Sequence, residues 1–196
     1  MINSDLINEI NIFLENQFLD QHKRLVHIRN VVKVSLELGK LFSVGTDEII
    51  VSALLHDATK NYSFKQNYTL ARKYFSEDVL NQVPNPCLHA YSAAALAKIR
   101  FKITDENIIN AITYHCSGRM NMSDLEKIIF IGDFIEESRD FVNEEVKIMA
   151  RQDLDKCVYM IMCSTKAYLE KNNQQLSVLT QKAIAAYEEK KEGFND

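Results

Sequence analysis

The run Ile49-Ile50-Val51-Ser52-Ala53-Leu54-Leu55 ends in His56-Asp57, and this junction constrains the fold more than any other segment. A stretch that apolar belongs inside the molecule. It carries an imidazole and a carboxylate inward, where an unpaired neutral polar group costs roughly 2–7 kcal/mol and a charge more. Any fold that buries the run must therefore bring partners to its end. A metal ion satisfies both groups at once.

A second segment sets the same problem. Asp133 lies in Ile128-Ile129-Phe130-Ile131-Gly132-Asp133-Phe134-Ile135, apolar on nearly every side. A buried aspartate must be paired, protonated or metal-bound. The adjacent Gly132 implies close approach of another element.

Helical spacing dominates the rest. Residues 5–19 read as an amphipathic opening helix through Leu6, Ile10, Phe13 and Leu14. Residues 21–42 repeat apolar side chains every three or four positions. Thr46-Asp47-Glu48 caps a third helix running to about Lys60. Tyr68–Phe75 reads as a short helix, and Pro84-Asn85-Pro86 as a break. Helices follow over His89–Arg100, from Thr104-Asp105-Glu106 to Cys116, and from the capping box Ser123-Asp124-Leu125-Glu126 to about Glu137. Two or three more fill 143–190, with Ala183–Lys191 trailing into a frayed end. No strand alternation or repeat interrupts the pattern. One all-α domain is expected, with a core over about 20–140 and C-terminal helices packed on it.

The composition agrees. Five Gly and two Pro in 196 residues favour long helices with short connections. A net charge of −4 gives no electrostatic footprint for nucleic acid. No apolar run reaches membrane-spanning length, and Met1-Ile2-Asn3-Ser4-Asp5 lacks the marks of a signal peptide. Cys87, Cys116, Cys157 and Cys163 form no C-x-x-C pair, so reduced thiols and a cytoplasmic location are expected.

Taken singly, each histidine has an ordinary explanation. His27 between Val26 and Ile28 reads as a hydrogen-bonded core residue. His89 after the Pro-x-Pro break reads as surface, and His115 as a charge complementing a helix C-terminus. His22 reads as surface. Taken together, His27, His56-Asp57, His89, His115 and Asp133 offer four imidazoles and two carboxylates, each on or at the end of a helix. That set suits iron, manganese or zinc. It exceeds one tetrahedral zinc site and fits two metals with Asp57 as the bridge.

This ordered set resembles the HD-domain phosphohydrolases. It is most similar to their bacterial branch of symmetrical diadenosine-tetraphosphate hydrolases, the YqeK family. The resemblance spans roughly residues 20–170. It includes Lys23-Arg24-Leu25-Val26-His27, Ala53–Lys60, Leu88-His89-Ala90, Tyr114–Arg119, Leu125–Glu136 and Ser138-Arg139-Asp140-Phe141. Three positions depart from the pattern: Gly132 replaces an alanine, Glu137 stands near a usual proline, and Cys116 replaces a threonine.

The resemblance implies an HD-domain helical bundle. One metal would be held by His27, His56, Asp57 and Asp133, the other by Asp57, His89 and His115. Two divalent ions are implied, iron or, as the alternative, manganese. A dinucleoside polyphosphate would be cleaved symmetrically to ADP. The catalytic candidates are Asp57, Lys60 and Arg119. The substrate-contacting candidates are Arg24, Lys60, His89, His115, Arg119, Asp133 and Arg139, and Thr59 and Asn61 are minor ones. Another nucleotide substrate, or nucleotide binding without turnover, stays open, and so does a homodimer.

Overall fold

The computed structural model describes residues 4–192, and side chains through Glu189. Regular structure among these residues is all helical. In chain order the helices are α1 (Ser4–Gln17), α2 (His22–Phe42), α3 (Thr46–Leu55), α4 (Phe64–Ala71), α5 (Glu77–Leu80), α6 (Leu88–Ile99), α7 (Glu106–Tyr114), α8 (Asp124–Ile135), α9 (Glu144–Met149), α10 (Leu154–Lys171) and α11 (Val178–Glu192), with a 3-10 turn at Asn85–Cys87 before α6.

Two apolar clusters organise them. The first joins α1, α2, α3, α6 and α7 through Ile10, Phe18, Ile28, Ile49, Leu55, Ile108 and Ile112. Each of these side chains is almost fully buried, a contribution of about 1.5–3 kcal/mol apiece. The second joins the far sides of α2 and α8 to α9–α11 through Leu38, Ile128, Ile131, Val158, Ile161 and Ile184. Helix α8 belongs to both clusters, which is why nearly every face of it is apolar. It packs against α2, α7 and α10. Gly132 makes the α2 contact close, because a Cβ there would collide with the Ser35 hydroxyl.

Several boundaries differ from the sequence reading. Helix α3 stops at Leu55, and residues 56–60 continue as tight turns, with Ala58 N bonding Leu55 O and Lys60 N bonding Asp57 O. Helix α4 starts at Phe64, not Tyr68, because Ser63 and Gln66 close a capping box. Ser76 caps the short α5, which the sequence reading lacked. The segment expected to fray lies within α11, where Ala183 and Ile184 are buried in the second cluster. No helix among the described residues is long and apolar enough to cross a membrane.

Candidate metal centre

Five helices converge on one point. Helix α2 brings His27, the end of α3 brings His56 and Asp57, the start of α6 brings His89, the end of α7 brings His115, and α8 brings Asp133. All four imidazoles are buried, and the Asp57 side chain is 4% exposed.

Local backbone explains how the rings are aimed. His56 and His115 occupy the C-caps of α3 and α7. Carbonyls in a last helical turn have no intrahelical partner. The Nδ1 of His56 takes the carbonyl of Ala53 at 2.6 Å, and that of His115 takes Ile112 at 2.8 Å. His89 does the same with Pro86 at 2.8 Å, where the 3-10 turn leads into α6. In each case the acceptor lies three residues back. His27, inside α2, uses the Glu136 carboxylate instead, at 3.0 Å.

These four acceptors fix the tautomers. A carbonyl or carboxylate requires a proton on Nδ1, so each neutral ring presents a lone pair at Nε2. The lone pairs face one another. His27 Nε2 is 3.3 Å from His56 Nε2, and His89 Nε2 is 3.3 Å from His115 Nε2. Asp133 Oδ1 lies 3.1 Å from His27 Nε2 and 3.9 Å from His56 Nε2. The Oδ2 of Asp57 turns to this first pair, at 3.6 and 3.8 Å. Its Oδ1 turns to the second, 3.0 Å from His89 and 3.7 Å from His115. Among the described residues that buried oxygen accepts no hydrogen bond.

Facing lone pairs beside two carboxylates repel unless a positive charge sits between them. Burial holds His56 down, to about 4. Burial also opposes the charges of Asp57 and Asp133, but the surrounding imidazoles outweigh it and keep both carboxyls well below their usual range. Burial acts to lower His89 and His115, but Cys116 and Asp57 pull both upward. The anions that draw protons to these nitrogens are the ones that hold a cation, and a metal displaces the protons. The donor set, imidazole nitrogen and carboxylate oxygen, fits a divalent transition metal.

Cations surround the centre. Arg24 Nη1 donates to Asp57 Oδ2 at 2.5 Å, and Arg139 Nη2 donates to Asp133 Oδ1 at 3.0 Å. Lys60 Nζ stands 3.8 Å from Asp57 Oδ1 and 3.1 Å from His89 Nε2. A groove of about 600 Å³ opens beside His27, lined by His22, Lys23, Arg24, Glu136 and Arg139 among others. Beyond Arg139, a pocket of about 220 Å³ runs past His115, Cys116 and Asp133 to Phe130, Phe134 and Phe141.

The fold and the site geometry have counterparts among known proteins. The chain is 33% identical over 159 residues to a protein of Halalkalibacterium halodurans named symmetrical bis(5'-nucleosyl)-tetraphosphatase, covering 81% of this chain and 84% of that one. It belongs to that family. A Bacillus subtilis protein of the same name is 32% identical over 160 residues, 81% of this chain and 85% of its own length. A crystal structure from Clostridium acetobutylicum, described as a predicted HD superfamily hydrolase involved in NAD metabolism, matches with a TM-score of 0.85 at 29% identity, covering 97% and 99% of the two chains. No family model matches the chain.

Three residues expected at the substrate are bonded within the protein in this member of the tetraphosphatase family. Arg119 forks onto the buried Glu126, both bonds 2.7 Å, and lies 4.9 Å above the Tyr114 ring. It ties the turn after α7 to the start of α8. Thr59 is fully buried and donates to the carbonyl of His89 at 2.9 Å, so it supports α6 and does not face the groove. Asn61 is joined to Gln17. His22 is exposed, as expected, but it borders the groove.

Two residues were missed. Glu136 caps α8 and accepts from His27, from Asn30 at 2.9 Å and from both donors of Ser138. The signal was available, because a carboxylate directly after the mostly apolar segment 128–135 has to be anchored. Cys116 places its Sγ 3.4 Å from His89 Nε2 and 3.5 Å from His115 Nε2. Hydrogen bonding from Cys87 and the two imidazoles hold its thiol well below the usual range, against burial.

Proposed function

We propose that the chain hydrolyses diadenosine tetraphosphate symmetrically to two ADP, using two divalent metals, iron or, as the alternative, manganese. The observation that carries this reading is the convergence of four Nε2 lone pairs on the two oxygens of Asp57. His27, His56, Asp57 and Asp133 would hold one metal, and Asp57, His89 and His115 the other. The symmetrical tetraphosphatase relatives supply the substrate class. When bound, the metals supply Lewis acidity and a water acidified toward neutral pH.

The chain's own residues do the rest. Asp57 keeps the two histidine pairs at fixed separation. Lys60, Arg24 and Arg139 place cations around the centre, where they offset phosphate charge as it builds on the leaving oxygen. The groove beside Arg24 and Arg139 accommodates the polyphosphate. The pocket past Arg139 offers the rings of Phe134 and Phe141, 5.6 Å apart, to a purine. A cytoplasmic location accompanies this reading from the unpaired thiols, and family resemblance leaves a homodimer open.

The test is chromatography of products from diadenosine tetraphosphate with metal-loaded protein. Two ADP per substrate supports the reading. AMP with ATP contradicts it, and release of phosphate only from other nucleotides assigns the site to a different substrate.

A further inference from the structure

The four histidines and two aspartates leave the two halves of the centre unequal. The His27 and His56 pair has two carboxylates beside it, Asp57 and Asp133. Within 4 Å the His89 and His115 pair has the single carboxylate oxygen Asp57 Oδ1, with Asp133 within 4.8 Å of His115. Another atom stands where a second donor to that pair would be. Cys116 follows His115 at the end of α7, and its Sγ lies 3.4 and 3.5 Å from the two Nε2 atoms.

The spacing is that of a coordination shell. Around a tetrahedral zinc-like ion, two imidazole nitrogens sit about 3.3 Å apart, and a nitrogen and a thiolate sulfur about 3.6 Å apart. Here the two nitrogens are 3.3 Å apart, and each lies within 3.5 Å of the sulfur. The carboxylate oxygen is 3.0 Å from one nitrogen and 3.7 Å from the other. That oxygen is buried and accepts no hydrogen bond among the described residues, and the Lys60 ammonium stands 3.8 Å from it, beyond hydrogen-bond distance.

Building on the metal reading above, we propose that Cys116 is a thiolate ligand of the metal held by His89, His115 and Asp57. The second half of the centre is then a sulfur-bearing site. Cys87, whose thiol interacts with that of Cys116, is an outer neighbour of the sulfur and not a ligand. Sulfur favours zinc, iron and cobalt over manganese and magnesium. The two halves would accordingly differ in metal preference, the first accepting hard ions and the second selecting soft ones. The pocket past Arg139 reaches Cys116.

The experiment loads the reduced full-length protein with cobalt(II) and records bound metal and the near-ultraviolet spectrum. The wild type should bind cobalt and show the intense sulfur-to-cobalt charge-transfer band. Cys116→Ser should lose the band, and Cys87→Ser should keep it. Competition titrations should show cadmium(II) affinity of the second site falling about tenfold or more in Cys116→Ser. Manganese(II) affinity should change less than about threefold, because its hard-ligand donors are untouched. A wild type that binds cobalt without the band overturns the assignment but leaves the metal centre standing. So does a band that survives in Cys116→Ser, or cadmium and manganese affinities that fall equally. A wild type that binds no cobalt, zinc or iron removes the metal centre itself, and the assignment with it.

Discussion

Removing the Glu136 carboxylate should damage a metal site that it never touches. Its Oε1 accepts from His27 Nδ1 and the Ser138 hydroxyl, and its Oε2 accepts from Asn30 and the Ser138 backbone. The bond to His27 is what keeps the proton on Nδ1 and the lone pair on Nε2. In Glu136→Ala the ring is free to carry its proton on Nε2, where it faces Asp133 at 3.1 Å. Coordination then requires a tautomer change, and loss of such an outer partner weakens metal binding about 10–100-fold.

Stability falls as well. His27, Asn30 and the Ser138 backbone lose the carboxylate they share, and a buried hydrogen bond lost this way costs about 1–3 kcal/mol. In a domain of this size each kcal/mol lowers Tm by about 2–4 °C. Glu136→Gln separates the two effects. Its amide oxygen can still accept from His27, while its amide nitrogen opposes the Ser138 N–H. It should keep metal affinity within a few-fold of wild type and still lose stability.

The acid limb follows from the same residue. Burial acts to raise Glu136, but Ser138, His27 and Asn30 outweigh it and hold the carboxyl at about 2, below its usual 4.5. A depressed carboxyl contributes stability that is fully present above the unfolded value. That contribution is lost as pH falls from about 4.5 to about 2. Glu136→Gln should flatten this part of the stability profile. Chelator competition and thermal melts of metal-free protein measure both quantities. Wild-type affinity in Glu136→Ala, or equal affinity losses in the Ala and Gln variants, would refute the argument.

Four further outcomes are expected. Asp57→Ala should abolish turnover and most metal retention, read by elemental analysis and product release. Lys60→Ala should keep its metal and lose about 10–100-fold in kcat, as expected for removing one charge-stabilising group. Arg119→Ala should leave the buried Glu126 without its guanidinium and lower stability by about 1–3 kcal/mol, with kcat per bound metal within a few-fold of wild type. Gly132→Ala should cost about 1–3 kcal/mol by forcing α8 from α2. Adding Ser35→Ala should recover much of it, because the Ser35 hydroxyl is the colliding atom and is itself buried without a partner among the described residues.

Much of this was legible in the sequence, for identifiable reasons. Carboxylates within or just past apolar helical runs have few solutions, so Asp57 and the half-buried Asp133 pointed to a cation before any coordinates. The helical architecture followed from spacing and from caps such as Ser123 with Glu126. What the sequence hid was three-dimensional. His56 and His115 look like dipole complements at helix ends, yet the feature that matters is the unpaired carbonyl three residues back. Arg119 looks like a phosphate ligand until its distance to Glu126 is known. The Ser63 and Gln66 box is readable in the sequence and sets the start of α4 four residues ahead of Tyr68. Cys116 read as a bland replacement because adjacency to His115 in sequence says nothing about adjacency to His89 in space.

The central claim is that six side chains on five helices hold two metals either side of Asp57. Anomalous diffraction from crystals soaked in iron(II) or manganese(II) tests it most directly. Two peaks are predicted, one bonded to the Nε2 atoms of His27 and His56 and one to those of His89 and His115, with an Asp57 oxygen on each. Density showing no metal at these nitrogens, at saturating ion and neutral pH, would contradict it.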